Sequence, residues 1–262
     1  MPRRPPAPLV RHVRHVACVT LAAALSCAAP ARATELSLGG GLGLTIATQP
    51  GVRDWIEDER AIVGEALPVS DWRTRLGPAV TPAIELRLRV HPRWTAGASF
   101  ELFRSEVRNE SYAGGSLRGW SSRFEQQFAD VAAHVAWWPA IAPGAYVGAR
   151  AGRGRGTLSL NGGGALGTDP NQRVSLSGTW EASVTTWGVY GGWQAMGTAN
   201  PRVDLRLGWA GRDLGQPGTG AWGNVNGPAS GPLRAADGRA LGVDFSGPYA
   251  ALTFVFARTV AP

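Results

Sequence analysis

The chain has 262 residues, with 26 arginines, no lysine, a formal net charge of +7 and two cysteines. Both cysteines and five of the arginines lie within residues 1–33, so without that segment the charge falls from +7 to +2 and no thiol remains. These numbers argue against nucleic-acid binding, structural disulfides and cysteine-based metal sites.

Residues 1–33 have the features of an export signal. Basic residues open the segment, and "VACVTLAAALSCAA" is an apolar stretch too short to span a bilayer. Ala31-Arg32-Ala33 fits a small-x-small cleavage site, whereas residues 24–26 are a poor lipobox for lipidation at Cys27. We therefore expect a cleaved signal peptide at 1–33 and one domain at 34–262.

Alternating strands begin directly after this segment. "ELSLGGGLGLTIAT" places leucines on one face and mostly glycines on the other, which indicates little space on the glycine side. A long polar connection at about 49–78 has poor helical periodicity and is expected to be a loop. "IELRLRV" then sets Ile84, Leu86 and Leu88 against Glu85, Arg87 and Arg89.

Six further segments alternate in the same way. They cover 94–103, about 125–138, 145–152, about 179–194, 202–212 and 248–258. The connections run long, short, long, short, long, short, long, with long loops expected at about 105–124, 155–178 and 213–242. Bacterial outer-membrane barrels combine an even strand number with short periplasmic turns and long outer loops, whereas a soluble sandwich, the alternative, does not sort its loops by length.

The sequence thus predicts an all-β fold: an eight-stranded antiparallel up-and-down transmembrane β-barrel with short periplasmic turns and long extracellular loops. Charged residues would then point inward and fill the barrel as a structural network of ion pairs. The predicted network consists of Glu85, Arg87, Arg89, Glu101, Asp130, His134, Arg150, Asp204 and Arg206.

Aromatic residues gather beside the short turns, which predicts a girdle at the periplasmic membrane interface. The predicted girdle consists of Trp94, Trp137, Trp138, Trp193, Phe254 and Phe256.

Catalytic signals are weak in residues 34–262. The segment has two histidines, His91 in a predicted turn and His134 on an inward face, and no His-x-Ser or metal-ligand motif. Asp130 lies four residues before His134 on the same face, and an ion pair is favoured over a catalytic dyad. We expect no enzymatic activity and no catalytic, cofactor or metal site.

The eight alternating strands, the loop rhythm and the aromatic final strand "YAALTFVF" resemble the small outer-membrane β-barrel proteins related to the OmpA transmembrane domain, OmpX and OmpW. The resemblance implies a bacterial outer-membrane location and a structural or surface-interaction role. It implies membrane lipid, lipopolysaccharide and the barrel-assembly machinery as partners, no nucleic acid, and a surface ligand that the sequence does not name. The alternatives are a narrow porin-like channel for small solutes and a lipid-modifying enzyme.

Overall fold

The computed structural model describes residues 35–47, 49–74, 76–113, 118–166, 174–195, 200–215, 220–224, 227–235 and 237–259. The expected signal peptide and its cleavage site lie outside these residues. The elements are β1 (Glu35–Thr45), α1 (Pro50–Gly64), β2 (Ala79–His91), β3 (Trp94–Tyr112), β4 (Gly119–Trp137), β5 (Ala145–Ala165), β6 (Val174–Gln194), β7 (Arg202–Gly211), β8 (Gly220–Asn224), β9 (Gly227–Gly231) and β10 (Gly247–Thr259).

Eight of the strands form a closed antiparallel ring. Each of β1 to β6 pairs with the next strand in sequence, β7 pairs with β10, and β10 returns to β1. The seam between β1 and β10 holds eleven residue pairs, from Glu35 opposite Thr259 to Thr45 opposite Tyr249. Closure leaves no edge along the ring, as a sheet surrounded by hydrocarbon requires. The predicted eight-stranded barrel is confirmed.

The two faces of each ring strand differ sharply in exposure. Leu38 on β1 is 54% exposed and Ile84 on β2 is 60% exposed, whereas Glu85 on β2 is only 4% exposed. Apolar side chains therefore cover the outside and charged side chains fill the inside, the reverse of a soluble protein. No helix among the described residues is long and apolar enough to cross a membrane.

Strands β3 to β6 are longer than the sequence predicts. The stretches 105–124 and 155–178, expected to be long loops, are largely continuations of these strands, which reach 19 to 21 residues. The outward apolar side chains of the ring form what we call the apolar belt. The parts of these strands beyond it form the projecting wall, which consists of Ser105–Tyr112, Gly119–Gln126, Thr157–Ala165 and Val174–Glu181. The expectation failed because the outward face of the wall is polar, so its alternation does not look like that of a lipid-facing strand.

The expected polar loop at 49–78 is also wrong, because it contains the 15-residue helix α1. Pro50 occupies the first turn, where its missing N–H costs nothing. Val52, Ile56 and Val63 form a buried stripe at helical spacing, and Glu59 interrupts that stripe. The buried carboxylate hid the helical period from sequence analysis.

Helix α1 packs on the inner face of the projecting wall and forms a hydrophobic cluster that we call the outer core. Phe103, Phe124, Leu158 and Trp180 supply its strand side. The segment before β10 completes it with Phe245, whose ring lies 5.6 Å from those of Phe103 and Phe128.

The predicted long loop at 213–242 also differs from the expectation, because it contains the strands β8 and β9. Strand β8 pairs with β6 and with β9. The barrel therefore ends in a packed cap.

Candidate functional site

The inside of the barrel contains two groups of ion pairs. In the first, called the lower network, Arg87 binds Glu85 and Asp204. Arg206 contacts the same two acids, at 2.6 Å from Glu85 and 2.9 Å from Asp204. Tyr146 joins them, since it donates to Asp204 and accepts from Arg206 Nε at 2.9 Å. Two acids and two arginines thus balance one another.

The second group, called the upper network, lies nearer the cap. Arg150 binds Glu101 and lies 2.8 Å from Asp130, and Arg212 lies 2.8 Å from the other oxygen of Glu101. Thr186 also donates to Asp130, at 2.8 Å. Every charged side chain in the two networks has an ion-pair partner, which makes its burial tolerable. The Nε atoms of Arg87, Arg150 and Arg212 and Nη1 of Arg212 have no hydrogen-bond partner among the described residues.

Between the networks lies a cavity of about 20 Å³, lined in part by Glu85, Arg206, Glu101 and Arg212. A cavity of that size holds about one water molecule. Side chains therefore fill the barrel at this level, which disfavours the alternative of a solute channel.

Two residues expected in the network lie apart from these ion pairs. His134 Nδ1 is 3.3 Å from the Tyr190 hydroxyl, and its expected ion pair with Asp130 is absent among the described residues. Arg89 stacks on Trp138, with its guanidinium carbon 4.9 Å from the ring centre. The networks bring together the other seven predicted residues.

Sequence analysis missed Arg212 and Tyr146. Both could have been found, because Arg212 continues the inward row of Asp204 and Arg206, and Tyr146 shares the inward row of Arg150. Arg212 is the last residue of the predicted strand 202–212 and lies just past the end of β7, but it was not considered as a network member. Tyr146 carries no charge and was not considered as a network member.

Of the predicted girdle, Trp94, Trp137, Trp193, Phe254 and Phe256 point outward, with exposures between 40% and 54%. Trp138 does not, and its assignment is wrong. It is 8% exposed, donates to Thr95 Oγ1 at 2.9 Å and stacks on Tyr146 at 4.6 Å. Successive strand residues face opposite sides, so Trp137 and Trp138 cannot both face lipid.

The outer face also has a sharp upper limit. On β3 the outward side chains change from Leu102 to Arg104, and on β5 they change from Ala151 to Arg153. Below this level the outer surface is apolar, and above it lies a band of charge. The protein is an eight-stranded antiparallel β-barrel with an apolar outer face. Its short turns lie at one end of the barrel, and the projecting wall with its cap lies at the other end.

Comparison with solved structures gives matches of the same kind. The chain is similar to Ail, the attachment invasion locus protein of Yersinia pestis, with 11% identity, 85% of this chain and all of that chain covered, and a TM-score of 0.42. A second Ail structure, in complex with the heparin analogue sucrose octasulfate, covers 99% of that chain with a TM-score of 0.41. The outer-membrane protease OmpT of Escherichia coli matches with 10% identity, 87% of this chain and 97% of that chain covered, and a TM-score of 0.39.

No family model matches the sequence, and neither does any curated protein. The expectation that the barrel is not an enzyme needs correction, because one of the matched structures is a protease. A barrel of this architecture therefore does not by itself exclude catalysis. Among the described residues, no group of three metal-ligating side chains lies together.

The projecting wall has a free edge. Strand β2 pairs with β3 only as far as Val80 opposite Arg104, while β3 continues to Tyr112. Among the described residues, Ser105–Tyr112 forms strand hydrogen bonds with β4 on one side only. We call this stretch the β3 edge.

The neighbouring segment 68–77 is bound through buried side chains of the β3 edge. The backbone groups of the edge do not take part in these hydrogen bonds. Ser105 Oγ donates to the carbonyl of Gly77 at 2.8 Å. Asn109 binds both the N–H and the carbonyl of Arg73, at 2.8 and 3.0 Å. The segment is thus fixed inside the wall.

The outward side chains above the apolar belt form what we call the charged band. Its members are Arg104, Glu106, Arg108, Arg123, Glu125, Arg153, Arg155 and Glu181. Most of them pair across strands, as Arg104 does with Glu125 at 2.9 Å and Arg123 does with Glu106 at 2.7 Å. Arg153 has no carboxylate partner among the described residues.

Glu59 is the buried carboxylate of the outer core. It is 7% exposed and accepts hydrogen bonds from Trp120 Nε1 and Ser122 Oγ, both at 3.0 Å. Burial raises its pKa from 4.5 to about 7, and the two hydrogen bonds oppose that rise. Helix α1 is therefore joined to the wall by a group that titrates near neutral pH.

Proposed function

We propose that the protein is a surface-contact protein of the outer membrane, which binds an extended segment of a partner protein along the β3 edge. The observation that carries the proposal is the unpaired edge of Ser105–Tyr112, held clear of the membrane. A free strand edge presents rows of N–H and C=O groups, and an added strand satisfies them.

The side chains around the β3 edge suit a specific partner better than self-association. Glu106, Arg108 and Glu110 point outward beside the edge, and charged residues on an edge suppress pairing between identical strands. The cap fixes the wall from the inside, so the edge is presented in one geometry. A preformed edge lowers the entropic cost of binding.

A blocking experiment tests this proposal. Residues 34–262 contain no cysteine, so Glu110→Cys and Glu181→Cys each introduce a single thiol on the outward face, the first at the β3 edge and the second away from it. Peptides are selected from a random phage-displayed library against the unmodified protein in lipid nanodiscs. Both variants are then coupled to polyethylene glycol and tested for binding of these peptides.

We expect the polymer on Glu110→Cys to abolish peptide binding and the polymer on Glu181→Cys to leave it intact. Equal binding to both coupled variants would place the contact elsewhere. Failure to enrich any peptide over empty nanodiscs would count against a polypeptide-binding edge.

A second interaction is favoured by the charged band. It begins where the apolar belt ends, at the depth of the lipid headgroups, and Arg153 has no carboxylate partner among the described residues. We infer that Arg153 and Arg155 contact lipopolysaccharide phosphates, which guanidinium groups bind well. Native mass spectrometry should show less retained lipopolysaccharide for the double variant Arg153→Gln/Arg155→Gln than for Arg239→Gln in the cap, and equal retention would contradict this contact.

The remaining expectations belong to the same proposal. Trp94, Trp137, Trp193, Phe254 and Phe256 would form the periplasmic girdle, and their outward exposure supports that role. The seven paired lumen residues would act structurally. Recognition by the barrel-assembly machinery is supported by the outward aromatics of β10, which lies at the closing seam with Phe256 opposite Leu38.

A further inference from the structure

A cavity of about 320 Å³ opens at the cap, away from the β3 edge. It lies between helix α1, the inner faces of β5 and β6 and the segment 230–234. Its apolar walls come from Trp55, Leu160, Leu176, Trp180 and Leu233. The volume falls at the lower end of the range of about 300–1,000 Å³ that is usual for small-molecule sites.

The walls of this cavity are fixed by contacts with one another and with the outer core. Trp180 is buried, and its indole N–H donates to the carbonyl of Gly231 at 3.1 Å. Leu160 and Leu233 belong to the buried outer core. Trp55 packs on Phe124 with ring centres 5.6 Å apart. The cavity is therefore preformed, and an apolar body that entered it would displace water from apolar surface.

The rim carries one cation, Arg234. This arginine is exposed and donates to the carbonyl of Gly238, and among the described residues no carboxylate lies within ion-pair distance of it. Arg239, five residues further along the chain, forms the ion pairs instead, at 3.5 Å from Asp54 and 3.8 Å from Asp237. The guanidinium of Arg234 is thus available to an anion at the mouth of the cavity.

We propose that this cavity binds a small amphipathic carboxylate, with a ring-shaped apolar body against Trp55, Leu176 and Trp180 and its carboxylate on Arg234. Aromatic walls suit a flat ring, and a guanidinium binds a carboxylate through charge-assisted hydrogen bonds. The site is separate from the surface contact proposed above and does not depend on it.

The test uses 1-naphthoate and its uncharged counterpart 1-naphthalenemethanol as probes. Each is titrated by calorimetry against the full protein in lipid nanodiscs, and the heat measured with empty nanodiscs is subtracted. Leu176→Trp fills the cavity, Arg234→Gln removes the rim charge, and Arg234→Lys keeps it. Arg239→Gln is the matched control, because this arginine is also exposed but does not line the cavity.

We expect saturable 1-naphthoate binding that Leu176→Trp abolishes and Arg234→Gln weakens about tenfold, the size expected for losing a charge-assisted hydrogen bond. Arg234→Lys should restore most of the affinity, and Arg239→Gln should retain it. The uncharged probe should bind equally to the native protein and Arg234→Gln.

Three outcomes would overturn the proposal. They are no binding above empty nanodiscs, binding unchanged by Leu176→Trp, and equal weakening by Arg234→Gln and Arg239→Gln. Retained heat-dependent mobility of each variant on a detergent gel shows that loss of binding does not reflect loss of the barrel.

Discussion

The indole nitrogen of Trp120 lies 3.0 Å from a carboxylate oxygen of Glu59 and donates a hydrogen bond to it, which joins β4 to helix α1 inside the outer core. This contact sets a buried carboxylate between the projecting wall and the helix that caps the barrel. Because both partners lie beyond the apolar belt, the cap can respond to the pH of the medium.

Helix α1 should be held less firmly as the pH rises toward neutrality. The unfolded carboxyl of Glu59 titrates near 4.5 and the folded one near 7, so the folded state binds more protons between these values and loses stability as the pH rises through them. The loss is at most about 3 kcal/mol. Hydrogen exchange of Pro50–Gly64 between pH 5 and 8 measures it, after correction for the intrinsic exchange rate.

Glu59→Gln should remove this pH dependence, because the amide does not titrate. Glu57→Gln is the matched control on the same helix. The Glu57 side chain is half exposed, and its ion pair with Arg53, at 3.6 Å, lies on the helix surface. A pH dependence that persists in Glu59→Gln would assign the effect to another group.

Arg87→Met should destabilise the barrel strongly. Arg87 is buried between Glu85 and Asp204, and its loss leaves two buried acids with one arginine between them. Breaking a buried pair costs about 3–5 kcal/mol. Urea unfolding followed by gel mobility measures the change.

Arg202→Gln provides the comparison for that variant. Arg202 binds Glu35 at 3.1 Å near the end of the barrel that carries the short turns, and it is partly exposed. Its loss should cost about 0–1 kcal/mol, as for surface ion pairs. Equal shifts for both variants would show that the lower network contributes no more than a surface pair.

Leu205→Arg should hinder assembly, because Leu205 lies on the lipid-facing side of β7 and is 48% exposed there. An arginine on the lipid side costs about 2–4 kcal/mol at the bilayer midplane and less toward the interface, and Leu205 lies opposite Trp193 of the predicted girdle. Thr157→Arg, outward on β5 above the apolar belt, should assemble normally. The folded fraction in lipid vesicles measures both, and normal assembly of Leu205→Arg would refute the assignment of the outer face.

Trp138→Phe should cost about 1 kcal/mol, the net value of one hydrogen bond, because it removes the donor to Thr95. Trp137→Phe keeps an aromatic ring on the lipid side and should cost less. Urea midpoints of the two variants measure the difference. A larger loss for Trp137→Phe would contradict the inward position of Trp138.

The ring of strands could be predicted because hydrocarbon and charge alternate strictly in segments such as Ile84–Val90, and lipid on one side makes that period visible. The projecting wall could not be predicted in the same way. Above the membrane the outward residues are polar, and several inward ones, such as Ser105 and Asn109, bind main-chain groups of segment 68–77. Because polar residues lie on both faces of this part of β3, the alternation of polar and apolar residues is lost in the sequence.

The interior charges were predictable as a set but not as pairs. Arg87 and Asp204 lie 117 residues apart, and their contact depends on ring closure through β10. Helix α1 was hidden because Glu59 stands in its apolar stripe. Its burial depends on Trp120 and Ser122, which lie on a different element more than sixty residues away.

The orientation of the barrel is the central claim, and labelling on intact cells tests it most directly. Glu110→Cys lies on the projecting wall and Arg93→Cys lies in a short turn, and residues 34–262 contain no other thiol. The reagent is a maleimide on a polymer too large to pass through porins. We expect labelling of Glu110→Cys on intact cells and of Arg93→Cys only after the outer membrane is permeabilised. Labelling in the opposite order, or recovery of both variants as soluble periplasmic protein, would contradict it.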